Sequence, residues 1–306
     1  MKFLPLVFLS FGFVTCSSHP LRRLASEDEA VKPITEVFAP AIVADAKSVK
    51  VAVVQWAPVL PTPLGVDPAT AEVFKARNRS ALEGYIREAA GQGAKLVITP
   101  EFAVVGYPDL PDVPAEEDEY RNADDIRPYV ETVPGPSTDY FAKVASELGI
   151  YLHIGFAEVD PVDGKFYNVV VALDPQGQIV GKYRKINLYE GETNFLSPGS
   201  KPATYESPFG RVGLAICADI YSSHPISAYR RQKVDVIALS TSWAQFNTGM
   251  EYFRDAARRG RFYVLAANQN YFPDSGVIDP RGSIQSHIRQ SDGVAYGVLP
   301  LKNVAR

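Results

Sequence analysis

The chain is poor in cysteine, histidine, methionine and tryptophan: two cysteines, four histidines, two methionines and two tryptophans in 306 residues. Two cysteines cannot staple a chain of this length, and none is needed, because a chain this long buries a sizeable apolar core. His19, His153, His224 and His287 are scattered and have no metal-ligand spacing, so neither metal nor cofactor is expected. G-x-S-x-G occurs nowhere, which argues against a serine nucleophile on a strand-to-helix elbow. A basic stripe is also missing, and the formal net charge is -4. Phosphate binding needs clustered Lys and Arg, so nucleic acid is not the expected partner. The apolar stretch from Phe3 to Val14 is too short to cross a bilayer, and no membrane span is expected.

What is present begins with that stretch. One Lys, the apolar run and the small residues Thr15 to Ser18 read as a secretory signal peptide over residues 1–18. Residues 19–48 carry mixed charge without a period and read as a flexible linker or pro-segment, with Arg22-Arg23 as a processing site. Residues 49–306 read as the folded domain. Cys16 is a lipid-attachment candidate, but Phe13-Val14-Thr15 lacks the small residues that usually precede one, so soluble secretion is expected ahead of anchoring. If Cys16 leaves with the leader, Cys217 is the sole thiol. An unpaired cysteine in a secreted chain is a candidate reactive group, and the alternative is a small buried hydrophobe.

From Val49 onward, strands and helices alternate. "VKVAVVQWAP" and "AKLVITPEF" read as buried strands separated by a helix over 72–92, whose apolar face is Phe74, Leu82, Tyr85, Ile86 and Ala89. "GPSTDYFAKVASELG" is a second helix stopped by Gly149, and "GQGAKL" is a helix stop rather than a dinucleotide loop. Three successive strands follow, the last two joined by the hairpin turn "DPQGQ". "RVGLAIC", "VDVIALSTSW" and "RFYVLAANQ" are strands interleaved with helices over 224–232 and 249–259. "RGSIQSHIRQ" and "GVAYGVLPL" read as a closing hairpin. The pattern implies an α/β layered fold with buried sheets.

Three strand ends each deliver an ionisable residue: Glu101 in "TPEFAVVGYP", Lys185 in "YRKINLYEGE" and Cys217 in "GLAICADIYSSHP". Groups at the carboxyl ends of strands in an α/β sheet gather along one edge. Glu after Thr-Pro, Lys in Tyr-Arg-Lys and Cys before x-Asp, in this order and widely separated, resemble the nitrilase superfamily of carbon–nitrogen hydrolases. The flanks "YRKINLYEGETNF", "STSWA" and "VLAANQN" are similar to its pantetheinase and biotinidase branch, although that branch is rich in cysteine and this chain is not.

The resemblance implies a four-layer α-β-β-α sandwich and an amidase that uses no cofactor. Its substrate would be a small non-peptide amide, pantetheine-like or biotinyl-amide-like. Nitrile hydrolysis by the same triad, or a non-catalytic secreted binding protein, are the alternatives. It further implies Cys217 as nucleophile, Glu101 as proton acceptor and donor, and Lys185 as oxyanion stabiliser. Glu192, seven positions after Lys185, is the orienting second glutamate, with Glu190 as its competitor. A homodimer is compatible with the resemblance. Asp219 reads as structural, Trp243 and Phe246 as either pocket wall or core, and Asn78 in "NRS" as a glycosylation acceptor by pattern.

Overall fold

The structure is a computed structural model that describes residue 45 and residues 47–112, 119–243, 248–271, 274–289 and 291–302. The expected signal peptide and nearly all of the expected linker lie outside the described residues, as does Phe246.

Two six-stranded sheets stack face to face. The first has the order β12-β1-β2-β3-β4-β5 and the second β11-β10-β9-β8-β7-β6. The first is built from β1 (Ser48–Gln55), β2 (Leu96–Ile98), β3 (Tyr151–Val159), β4 (Phe166–Leu173), β5 (Ile179–Arg184) and β12 (Gly293–Pro300). The second uses β6 (Thr204–Ser207), β7 (Gly210–Ile216), β8 (Val236–Thr241), β9 (Tyr263–Asn268), β10 (Ser275–Ile278) and β11 (Ile284–Ile288). In each sheet three consecutive strands run parallel, β1-β2-β3 and β7-β8-β9, and antiparallel strands complete the edges.

Side-chain alternation explains the layering. Val51, Val53, Leu96 and Ile98 of the first sheet pack with Val212, Leu214, Val236 and Ala238 of the second in one cluster between the sheets. The intervening residues Ala52, Val54 and Val97 face outward onto Leu82, Ile86 and Ala89 of α1 (Pro68–Gly91) and Phe141 and Val144 of α3 (Pro136–Leu148). On the far side, Ile237 and Leu239 meet Ile226 and Tyr229 of α4 (Ser223–Arg231) and Phe253 and Ala257 of α5 (Gly249–Gly260). This is the four-layer α-β-β-α sandwich. A short helix α2 (Ala123–Ile126) lies in the connection between β2 and α3.

Helix α1 starts earlier than its apolar period suggests. Asp67 caps it by accepting the Thr70 N–H at 2.8 Å, and Pro68 occupies its first turn. Gly149, at φ 62, ends α3 as expected. The expected closing hairpin is corrected. β11 and β12 belong to different sheets: β12 pairs with β1 and β11 with β10. Gln285 joins them instead, accepting the Val298 N–H at 2.8 Å and donating to the Val298 carbonyl at 3.1 Å. Asn78 is corrected as well. Its side chain is buried in α1 and donates to the Val104 carbonyl at 2.8 Å, holding the loop after β2, so it is closed to glycosylation.

Candidate active site

Glu101 stands just beyond β2, Lys185 directly after β5 and Cys217 directly after β7. β5 reaches the same rim because it is antiparallel to β4, which is antiparallel to β3. Two reversals restore the direction of β2. The rims of the two sheets are tied together where the Ser240 hydroxyl, on β8, donates to the Thr99 carbonyl at 2.7 Å.

Lys185 Nζ lies 2.9 Å from Glu101 Oε1 and 2.7 Å from Glu192 Oε2, and all three side chains are buried. Asn168, from the middle of β4, donates to both carboxylates, at 2.7 Å to Glu101 and 3.2 Å to Glu192. Glu101 Oε2 accepts the Ser242 N–H at 2.8 Å, and its backbone carbonyl accepts from Gln269 Nε2 at 2.6 Å. Glu192 opens a 3₁₀ turn and also accepts the Tyr189 N–H at 2.5 Å. Of the two competing glutamates, Glu192 meets Lys185, and Glu190 is exposed.

Burial pushes the Glu101 carboxyl above the ordinary range; the Lys185 ammonium opposes that and Glu192 adds to it. For Lys185, burial works against the charge, but Glu101 and Glu192 outweigh it and hold the ammonium well above its usual value. One fixed cation thus serves two carboxylates in a dry site, where an uncompensated charge is expensive.

Cys217 sits at φ 41, a left-handed conformation that costs a residue with a Cβ about 1–3 kcal/mol. Asp219 holds it there. Its Oδ2 accepts the Ile216 N–H at 3.0 Å and the Tyr183 hydroxyl at 2.8 Å. Its Oδ1 accepts from Asn187, the backbone N–H at 3.0 Å and Nδ2 at 2.9 Å. The cysteine turn is therefore clamped to the chain just past Lys185, and Asp219 acts on position as expected. Cys217 Sγ lies 3.9 Å from the Ser242 carbonyl, and the N–H of that same residue binds Glu101. Burial pushes the thiol up, Glu101 adds to this, and Lys185 and Thr241 oppose it, so the sulfur is a thiol at neutral pH.

Further side chains act on these groups or pack near them. The buried Tyr107 hydroxyl is held well above its usual value, first by burial and then by Glu101, Glu192, Glu119 and Cys217. Burial, then Glu192, push the Glu119 carboxyl up to about 8. Tyr221, Trp243 and Tyr252 form an aromatic group with ring centroids 5.1–5.9 Å apart. Trp243 belongs mainly to the core: it packs on Phe253, its indole N–H donates to Thr248 at 2.8 Å, and it meets Tyr221 in a T-shaped contact. Among the described residues, no group of three His, Cys, Asp or Glu side chains is placed to hold a metal ion. No described helix is long and apolar enough to cross a membrane.

Residue reasoning missed Asn168, Ser242, Gln269, Tyr107 and Glu119. Asn168 had a readable signal, since it is a lone amide inside the apolar run "FYNVVVAL". Ser242 acts through its backbone, which no side-chain pattern records.

Comparison with known proteins agrees with the geometry. The carbon-nitrogen hydrolase family model matches residues 50–306, and the chain belongs to that family. It is similar to the omega-amidase NIT2 of Homo sapiens, 29% identical over 253 residues, covering 76% of this chain and 86% of the relative. It is also similar to the pantetheinase of Homo sapiens, 30% identical over 276 residues. That match covers 77% of this chain but only 51% of the relative, so the chain spans about half the pantetheinase's length. Among solved structures, Nit3 of Saccharomyces cerevisiae, a member of branch 10 of the nitrilase superfamily, superposes with a TM-score of 0.68 at 22% identity. The superposition covers 83% of this chain and 90% of that one.

Proposed function

We propose that this carbon–nitrogen hydrolase, an enzyme acting on amides, cleaves a small linear amide to an acid and an amine through a thioester on Cys217. The observation that carries the reading is the shared contact set: Lys185 bridges Glu101 and Glu192, while Ser242 touches both Glu101 and the Cys217 sulfur. The thiol is protonated at rest, so attack needs a base at that moment. Glu101 takes the proton as sulfur bonds to the carbonyl carbon, and the Lys185 ammonium with the Ala218 N–H stabilises the oxyanion. A donor of this kind lowers the barrier by about 3 kcal/mol. Glu101 then returns the proton to nitrogen, the C–N bond breaks and the amine leaves. Finally Glu101 takes a proton from water, which attacks the thioester; the acid departs and the thiol is restored. Glu192 and Asn168 hold Lys185 and Glu101 in register throughout.

Substrates of the pantetheine or biotinyl-amide type are the proposed class. The test is amine release from a panel of linear amides, with the corresponding nitriles run beside them and Cys217→Ala as control. Amine release from amides that the variant lacks supports the reading. Ammonia from nitriles alone, or no turnover by protein whose thiol is intact, contradicts it. Secretion is proposed from the Phe3–Val14 run alone. A mature N-terminus near Ser18 in culture medium supports it, and a cell-retained chain still starting at Met1 contradicts it.

A further inference from the structure

The reaction as written leaves one acid in the site unused. Glu119 is fixed by its neighbour Tyr120, which is buried among Phe102, Phe195 and Tyr129 and donates through its hydroxyl to the Gly106 carbonyl at 3.1 Å. The Glu119 side chain lies over Gly191, the residue that opens the turn carrying Glu192. A Cβ placed on Gly191 would fall 2.6 Å from Glu119 Oε2. That oxygen is buried and has no hydrogen-bond partner among the described residues, a condition that costs about 1–3 kcal/mol unless something arrives to satisfy it. Glu119 feels Glu192, Lys185 and Glu101, and Tyr107 feels Glu119, Glu101, Glu192 and Cys217, while the Gly191 contact places Glu119 against the turn that carries Glu192.

The charge count there is lopsided. Among the described residues, the Glu101, Glu192 and Glu119 carboxyl groups all feel one ammonium, and both contacts of that ammonium go to Glu101 and Glu192. Arg184, next along the chain, is committed to Glu158 and Asp160, and Lys182 to Glu158. An incoming carboxylate finds no spare cation among these, whereas an incoming hydroxyl finds an unsatisfied oxygen. A hydroxyl both donates and accepts, so it suits either protonation state of an acid.

Resting on the amidase reading above, we infer that Glu119 is a specificity-determining residue: it binds a hydroxyl on the non-reacting part of the substrate and turns away substrates that carry a carboxylate there. Burial, then Glu192, push its carboxyl up to about 8, so its discrimination has a pH signature. Ionisation above pH 8 adds negative charge, which strengthens rejection of an anion and leaves hydroxyl binding in place.

The experiment compares kcat/KM for 4-hydroxybutyramide and succinamate from pH 6.5 to 9 in the parent, Glu119→Gln and Glu119→Leu. The parent is expected to prefer the hydroxyamide by about tenfold at pH 7, the worth of one well-made hydrogen bond, and by more above pH 8. Glu119→Gln removes the rise with pH, and Glu119→Leu collapses the preference. A second readout is independent of turnover: alkylation of Cys217 by iodoacetamide against iodoacetate, normalised to glutathione. The handicap of iodoacetate is expected to grow through pH 8 in the parent and to stay flat in Glu119→Gln. Loss of amide turnover with the alkylation signature intact sinks the amidase reading alone. Turnover with no charge preference, or a preference that neither variant alters, sinks the role of Glu119 alone. Should both variants fail to fold, the parent's alkylation ratio across pH 8 decides: a flat ratio overturns the inference.

Discussion

Replacing Lys185 by methionine removes the cation that, among the described residues, the two buried carboxylates share. In the parent, Lys185 Nζ sits 2.9 Å and 2.7 Å from Glu101 and Glu192. Breaking a buried ion pair by deleting one partner costs about 3–5 kcal/mol, because the surviving charge is left uncompensated. For a domain of this size each kcal/mol moves Tm by about 2–4 °C, so the loss is roughly 6–20 °C at pH 8.

The sign with pH is the informative part. Without the ammonium, the folded-state pKa of Glu101, already raised by burial, moves higher. An acid whose folded pKa exceeds its unfolded value carries no penalty below the unfolded value of about 4.5, and loses stability as pH rises above it. Lys185 in the parent, held above its usual value, stays charged across this range. The Tm deficit of Lys185→Met relative to the parent is therefore small near pH 4.5–5 and largest at pH 8. Differential scanning fluorimetry at both ends reads it, and kcat falls by about 10²–10³ in parallel. An equal deficit at both pH values, or activity within a few-fold of the parent, refutes the triad.

Three more outcomes are expected. Asp219→Asn turns an amide NH2 toward donors now bound by a carboxylate oxygen; it should lower stability in urea by about 1–3 kcal/mol and cut kcat more than tenfold, and parental stability would contradict the clamp. The rate of Cys217 alkylation by iodoacetamide should fall as pH drops through the pKa of Glu101, which burial sets above 4.5; the limb should vanish in Glu101→Gln, and a midpoint at the ordinary carboxylate value would count against it. Gly191→Ala forces a Cβ onto φ 97 and against Glu119, so it should cost about 1–3 kcal/mol and lower kcat/KM, whereas parental thermal melting and turnover would show that the turn has room.

Long apolar alternation made the fold readable: Val51 and Val53 against Ala52 and Val54 already separate the inner face from the outer. The short strands β6, at a sheet edge, and β10, between β11 and β9, of four residues each, were not readable, because so few residues carry no period. The apparent closing hairpin failed for a physical reason. Ser291-Asp292-Gly293 has turn chemistry, but chain direction after it depends on which sheet offers an open edge, and β1 does. The three proposed catalytic residues were legible because each follows a strand. The parts that position it are side chains or peptides from distant segments, such as Asn168, Ser242 and Gln269, and they become visible only when the sheets are stacked. Asn78 shows the reverse error, a surface pattern whose side chain is used inside.

The central claim is that the Cys217 sulfur is transiently acylated. Intact-mass spectrometry of the protein mixed with an amide substrate and quenched within the first turnovers tests it most directly. The account predicts an added mass equal to the acyl half of the substrate, mapped to the peptide containing Cys217 and absent from Cys217→Ala. Steady turnover by Cys217→Ala at the parental rate, or an adduct on any other residue, contradicts it.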